Sequence, residues 1–218
     1  LRWRYDFVPC FFGVSLVPPA EPVFFGVVAY LLGCISFGYY LVRVSRGSDI
    51  RVLGSGNAGA RNAGRVLGRV GFMATLLGDA GKGALAVVLA GLAHAAVVTV
   101  PVALGAVVAG HIWPAQLGFR GGKGFATAAG GILALDYRLG IAVLGITILL
   151  LPVFRRGTPA ALGAAVSAPV LAWLLGDGLL AIGAVAAIAV MILLAHARHV
   201  HATTNDRHSP DEHGAPRV

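Results

Sequence analysis

Apolar runs dominate this chain, and polar residues interrupt them at a few sharply bounded places. Residues 23–42 carry no charge. A helix of about 20 such residues crosses about 30 Å of hydrocarbon. Residues 71–92 predict a second span, interrupted by Asp79 and Lys82. A third runs from about Ala95 to Leu117 and contains His111 and Trp113-Pro114. Residues 125–135 are apolar but short for a crossing, so they predict a tilted or partial helix buried in protein. Residues 139–154, 160–175 and 179–195 predict three more spans. The expected fold is an all-α integral membrane protein with seven transmembrane helices over residues 23–200. Residues 1–22 read as an N-terminal extension whose apolar run, 7–17, is too short to span and is expected to lie at the interface. Residues 201–218 read as a polar cytoplasmic tail, disordered beyond about Thr203.

Charge gives the orientation. Of 218 residues only 12% are charged, and the formal net charge is +8. A soluble domain has about 25% charged residues. With the N-terminus outside, Arg43 to Arg69, Arg120 with Lys123, Arg155 with Arg156, and Arg198 with Arg207 all fall on the cytoplasmic side. The other side receives residues 91–101 without Lys or Arg, then Asp136 to Arg138, then Asp177. That asymmetry follows the positive-inside rule, with Arg2 and Arg4 as a misfit. It also accounts for the net charge without nucleic acid, for which no soluble basic face is present. Cys10 and Cys34 lack CxxC spacing, so neither a disulfide framework nor a cysteine metal site is expected. No inverted repeat of the transporter kind is visible.

Two glycine-rich cationic loops carry the candidate chemistry. The first is Gly54-Ser55-Gly56-Asn57-Ala58-Gly59-Ala60-Arg61-Asn62-Ala63-Gly64-Arg65. Nothing apolar in it calls for a core. Its glycines free the backbone to turn N–H groups toward an anion. Ser55, Asn57 and Asn62 add neutral hydrogen-bonding groups, and Arg61 and Arg65 add fixed charge. A helix beginning near Ala58 or Gly59 would place Arg61, Arg65 and Arg69 on one face, with positive dipole charge at its start. The second loop is Phe119-Arg120-Gly121-Gly122-Lys123-Gly124. It is not a Walker A loop, since no Ser or Thr follows the lysine. Both loops fall on the cytoplasmic side, which points to one site for one or two phosphate groups.

Asp79 and Lys82, at i and i+3, are ionisable groups inside an apolar segment. They read either as functional groups or as a self-neutralising pair packed between helices, and both readings stay open here. His111 lies near the inner end of the third span and His199 where the last span emerges. His196, His199 and His201 are joined by no Cys or carboxylate cluster, so no metal is expected, and no cofactor. Neither His94 nor His111 has an Asp five residues on, and no Ser-His-Asp arrangement is readable. Cationic stabilisation of a reaction with a built-in leaving group is what the chain offers.

In order and spacing these motifs resemble the PlsY family, the acyl-phosphate-dependent glycerol-3-phosphate acyltransferases of bacteria. The resemblance is carried by residues 33–38, 51–62, 65–68, 79–83 (Asp-Ala-Gly-Lys-Gly), 110–114 (Gly-His-Ile-Trp-Pro) and 118–127. It implies a multi-pass enzyme of the bacterial inner membrane, with N-terminus outside and active site and C-terminus cytoplasmic. Such an enzyme would move a fatty acyl group from acyl phosphate to the primary hydroxyl of glycerol 3-phosphate, giving lysophosphatidic acid and phosphate in phospholipid biosynthesis. No covalent acyl-enzyme is expected. By position, Ser55, Arg65, Lys123 and His199 would be the catalytic set. Gly54, Gly56, Asn57, Arg61, Asn62, Gly121, Gly122 and Gly124 would line the phosphate site, with Asn57 and Asn62 shaping the first loop. Asp79, Lys82 and His111 would support them. The partners implied are the two substrates and membrane lipid, acting on a monomer. The chain departs from the family pattern at Arg61, where Thr is usual, and at His201 and Ala202, where the tail motif has Glu and Asn. A transporter of organic phosphates and a non-catalytic lipid-phosphate-binding homologue are the alternative readings.

Overall fold

A computed structural model describes residues 20–93, 97–155 and 157–205, with side chains to Ala197. The expected interfacial run 7–17, Cys10, His94, Arg156 and the tail beyond Asn205 lie outside the described residues. The order is α1 (Ala20–Cys34), α2 (Phe37–Arg46), a 3-10 turn (Ile50–Val52), α3 (Ala60–Leu92), α4 (Thr99–Ile112) and a second 3-10 turn (Ala115–Leu117). Then come α5 (Phe125–Leu135), α6 (Tyr137–Phe154), α7 (Gly157–Leu174) and α8 (Leu179–Asn205). Six stretches are long and apolar enough to cross a membrane: Ala20–Arg46, Ala60–Leu92, Thr99–Leu117, Tyr137–Phe154, Gly157–Leu174 and Leu179–Ala197. The protein is thus an all-helical membrane protein with six candidate spans plus the short α5, which at 1.5 Å per residue is about 16 Å long.

Three boundaries differ from the sequence expectation. The first span is not one helix. Ile35 and Ser36 are non-helical, with Ser36 extended at φ −85°, ψ 96°. No proline marks this break, and a side chain from another helix binds the carbonyls there, as described below. The second span does not begin at residue 71: α3 starts at Ala60, right after the first loop, as the helix start expected near Gly59 requires. It kinks at Gly68, whose φ of 73° and ψ of −160° suit only glycine. That kink breaks the helical register, so Arg69 does not continue the face of Arg61 and Arg65. The last helix also runs to Asn205, past the expected start of the tail.

Close backbone approach holds the bundle together. At Gly33 a Cβ would strike the Val107 carbonyl, and at Gly110 it would strike that of Tyr30, so α1 and α4 touch backbone to backbone. Gly83 against Thr127 and Gly130 against Ala80 do the same for α3 and α5. In hydrocarbon, lipid tails are as apolar as leucine, and helices associate through such close packing. Leu104, Val107, Val108, Leu139, Val185 and Ile188 fill the centre. Ile148, Leu149 and Val153 on α6 face outward, as a lipid-facing helix demands.

Contacts between the links show which ends lie together. Arg51 Nη1 donates to the Leu117 carbonyl at 2.6 Å, joining the two 3-10 turns that lead into the glycine-rich loops. Arg61 bonds Thr158 at the start of α7. At the other end, Asp136 caps α6 by accepting from the Arg138 N–H at 2.7 Å. Burial and the neighbouring Asp136 push the Asp177 carboxyl up, which pairs the α5–α6 and α7–α8 turns.

Candidate active site

The first loop is folded on its own interior. Asn62, 1% exposed, is the staple. Its Nδ2 donates to the Ile50 and Leu53 carbonyls at 3.1 and 2.8 Å, and its Oδ1 accepts from the Ser55 N–H at 2.8 Å. Both amide protons are consumed, so Asn62 has none left for a phosphate. Asn57 Oδ1 accepts from the Gly59 N–H at 2.8 Å and sets the entry to α3. The Gly56 N–H goes to Leu53 O at 3.0 Å. Contrary to the expectation of no core, Ala58 and Ala63 are fully buried with Val42 and Ile50 in a small apolar cluster beneath the loop. Asp49 braces the approach. It accepts from the Arg51 backbone and guanidinium, and those bonds hold its carboxyl below the ordinary range.

The second loop is docked on the end of α4. Gly121 N–H donates to Ile112 O at 3.1 Å, and Gly122 N–H to His111 O at 3.0 Å. These two amides are therefore not free to cradle an anion, which corrects the sequence expectation. Their glycines serve close approach instead: a Cβ on Gly122 would enter the His111 ring. Gly124, at φ 86°, turns the chain into α5 and leaves Lys123 just before the start of that helix.

Below the loops, inside the bundle, Asp79, Lys82 and His111 are 1%, 3% and 2% exposed. Lys82 Nζ donates to Gly33 O at 2.8 Å and Ile35 O at 2.6 Å, and lies 3.0 Å from Asp79 Oδ1. Two ammonium protons go to main-chain carbonyls, and the ammonium faces the Asp79 carboxylate as an ion pair. The broken first span has carbonyls without helical partners, and in hydrocarbon these need a donor from elsewhere. Lys82 supplies it, and Asp79 neutralises Lys82. His111 Nδ1 sits 3.4 Å from the same carboxylate oxygen, without hydrogen-bond alignment. The contacts of the pair are thus with the scaffold, and His111 links it to the second loop.

At the loop end the cations behave differently. Arg61 and Arg65 are exposed, one turn apart on α3, and Lys123 is half-buried beside them. Burial first, then the charges of Arg61 and Arg65, hold the Lys123 amine below its ordinary value. Among the described residues none of the three has an ion-pair partner. Among the described residues Arg61 Nη1 donates only to the neutral Thr158 hydroxyl. Three cations without a carboxylate are a standing electrostatic deficit, and an anion relieves it.

A cleft of about 440 Å³ opens between the loops. Gly56, Asn57, Trp113, Arg120, Gly122 and, from α8, Ala195 are among its lining residues. His199 lies one turn beyond Ala195 on α8, and its side chain lies outside the described residues. Gly54 (φ 58°) backs onto Asn62, and Ser55 is half-buried in the same loop. Among the described residues no group of three His, Cys, Asp or Glu side chains gathers to hold a metal. Sequence reading missed Arg51 and Thr158, whose partners are 66 and 97 residues away, since nothing local marks them.

Fold and loops together define an all-helical membrane protein that gathers unpaired cations at one end of its bundle. The family model for glycerol-3-phosphate acyltransferase matches residues 23–205, and the chain belongs to that family. It is 47% identical over 177 residues to glycerol-3-phosphate acyltransferase 1 of Desulfitobacterium hafniense (strain Y51), covering 81% of this chain and 88% of that one. It is 42% identical over 183 residues to the glycerol-3-phosphate acyltransferase of Cereibacter sphaeroides, covering 83% and 85%. A crystal structure of PlsY (YgiH), an integral membrane glycerol 3-phosphate acyltransferase, in its glycerol 3-phosphate form superposes with a TM-score of 0.77 at 28% identity, over 86% of this chain and 94% of that one. The lysophosphatidic acid form of PlsY superposes with a TM-score of 0.76.

Proposed function

We propose that the chain makes lysophosphatidic acid by transferring an acyl group from acyl phosphate to glycerol 3-phosphate at the junction of its two glycine-rich loops. The observation that carries this reading is the cluster of Arg61, Arg65 and Lys123 without a carboxylate partner. Both substrates are phosphate-bearing, and two unit charges about 4 Å apart repel by about 4 kcal/mol at an effective dielectric of 20. The trio offsets that repulsion and lets the reactants meet.

In the reaction the primary hydroxyl oxygen of glycerol 3-phosphate attacks the acyl carbon. The new ester C–O bond forms as the acyl–phosphate C–O bond breaks, and phosphate leaves with the electron pair. The hydroxyl proton passes to a substrate phosphate or to His199. No protein nucleophile is required, because the donor is already activated. Arg65 and Lys123 hold the phosphates, Ser55 adds a hydroxyl donor, and Asn57 and Asn62 keep the loop in shape. Orientation of two bound reactants supplies up to about 7–11 kcal/mol of the barrier lowering in favourable cases.

The topology fits this reading. If α5 counts as a short seventh crossing, the N-terminus lies outside and both loops, the α6–α7 link and the end of α8 face the cytoplasm of the bacterial inner membrane, where the positive-inside rule wants them. A monomer then carries a whole site. The reading is tested with the purified chain in detergent, given palmitoyl phosphate, palmitoyl-CoA or palmitoyl acyl carrier protein with glycerol 3-phosphate. Lysophosphatidate is expected from acyl phosphate alone. Product from the thioesters and none from acyl phosphate would overturn the donor assignment.

A further inference from the structure

Within the cationic trio, Arg61 alone is held from another helix among the described residues. Its Nη1 donates to the Thr158 hydroxyl of α7. Its Nη2 lies over Gly157 so closely that a Cβ there would overlap it. Arg65, one turn further along α3, has no such partner among the described residues. The arrangement is incomplete in two ways. A guanidinium has five N–H donors, and among the described residues Arg61 meets a single neutral acceptor. It also sits at the start of α7, where the unpaired backbone N–H groups of a helix carry positive charge. A cation at that place is unfavourable until an anion joins it.

The geometry points to a phosphate clamp, in which Thr158 and Gly157 position Arg61 across the gap between α3 and α7 and so set the affinity for a phosphate-bearing substrate. This rests on the reading that the trio takes substrate phosphate. Thr158 supplies direction, since its hydroxyl fixes one edge of the guanidinium and leaves the remaining N–H groups for the ligand. Gly157 supplies room, since any side chain there would push the guanidinium aside. Both are positioning residues: they act through Arg61 and touch no reacting atom.

The test is steady-state kinetics on the whole 218-residue chain in detergent, with glycerol 3-phosphate and palmitoyl phosphate varied in turn. Thr158→Val is expected to raise the KM for one of the two substrates about threefold to tenfold, with kcat changed by less than about twofold. Whichever substrate shows the rise is the one whose phosphate the clamp holds. Thr158→Ser, which keeps the hydroxyl, is expected to restore the parent KM. Gly157→Ala is expected to reproduce the Thr158→Val effect without removing a hydrogen-bonding group. In an Arg61→Ala background Thr158→Val is expected to add nothing, because the group it positions is gone. Unchanged KM for both substrates in Thr158→Val and Gly157→Ala would overturn the clamp, as would a Thr158→Val effect of full size on top of Arg61→Ala. Lys123→Ala with parent kinetics would instead overturn the site reading on which the clamp stands.

Discussion

Two groups of charged residues in this protein look alike in sequence and differ in their company. Asp79, Lys82 and His111 are buried among helices, and the Lys82 ammonium is satisfied by Gly33 O, Ile35 O and Asp79. Arg61, Arg65 and Lys123 lie at the loop end and find no carboxylate among the described residues. In the proposed reading, the difference separates scaffold from site. A buried charge that the protein itself neutralises holds structure, here a break in the first span. A gathered charge left unmet among the described residues is, in that reading, kept for a ligand. Location inside the membrane, which sequence reading takes as a functional flag, is the weaker guide of the two.

Breaking the paired group gives the largest effect expected. Lys82→Met removes the donor from two carbonyls and strands Asp79. Loss of one partner of a buried pair costs about 3–5 kcal/mol. Reversible unfolding in detergent reads it. The double variant Asp79→Leu with Lys82→Met removes the stranded charge but is expected to stay less stable than the parent, because the carbonyls of Gly33 and Ile35 still lack a donor. Recovery of full stability would show that the pair, not the helix break, is what Lys82 serves.

Breaking the unpaired group is expected to leave stability intact and remove activity. Lys123→Ala should lower kcat/KM for acyl transfer by about 100-fold, which corresponds to about 2.7 kcal/mol, with the melting temperature unchanged or raised. A large fall in melting temperature would place Lys123 with the scaffold.

How far these roles were legible follows from the range of the interactions. The apolar runs gave the span positions, since hydropathy is a local property, and the glycine-rich loops stood out by composition. Adjacent residues also announced the start of α3 near Gly59. The break at Ile35–Ser36 was invisible because its donor, Lys82, comes from α3. The use of Gly121 and Gly122 was misread for the same reason. A glycine spacing suggests open amides, yet these amides close on His111 and Ile112 carbonyls. Asn62 reads from sequence both as a residue that shapes the loop and as a ligand contact; its side chain does the first, through three partners 7 to 12 residues earlier that no local pattern identifies.

Asn62 supplies a smaller test of the contrast. Asn62→Ala leaves two carbonyls and the Ser55 N–H unmet, at a local cost of about 1–2 kcal/mol. Faster hydrogen exchange at Ser55 is the expected readout. The smallest effect is electrostatic. Phosphate binding needs the charged Lys123 amine, and that charge is lost as pH rises through a value held below the ordinary lysine figure by burial and the two arginines. The alkaline limb of kcat/KM should therefore fall below that of an ordinary lysine. Arg65→Ala removes one repelling charge and should move the limb upward. A limb that stays or moves down would mean that Lys123 does not feel Arg65.

The most direct test of the central claim is calorimetric titration of glycerol 3-phosphate into the purified parent chain, Lys123→Ala and Arg65→Ala. The account predicts saturable binding by the parent and at least about tenfold weaker binding by each variant, since charge-assisted hydrogen bonds contribute about 1.5–3 kcal/mol. Parent-like affinity in both variants, with the fold retained, would contradict the claim that the unpaired cations are there for substrate phosphate.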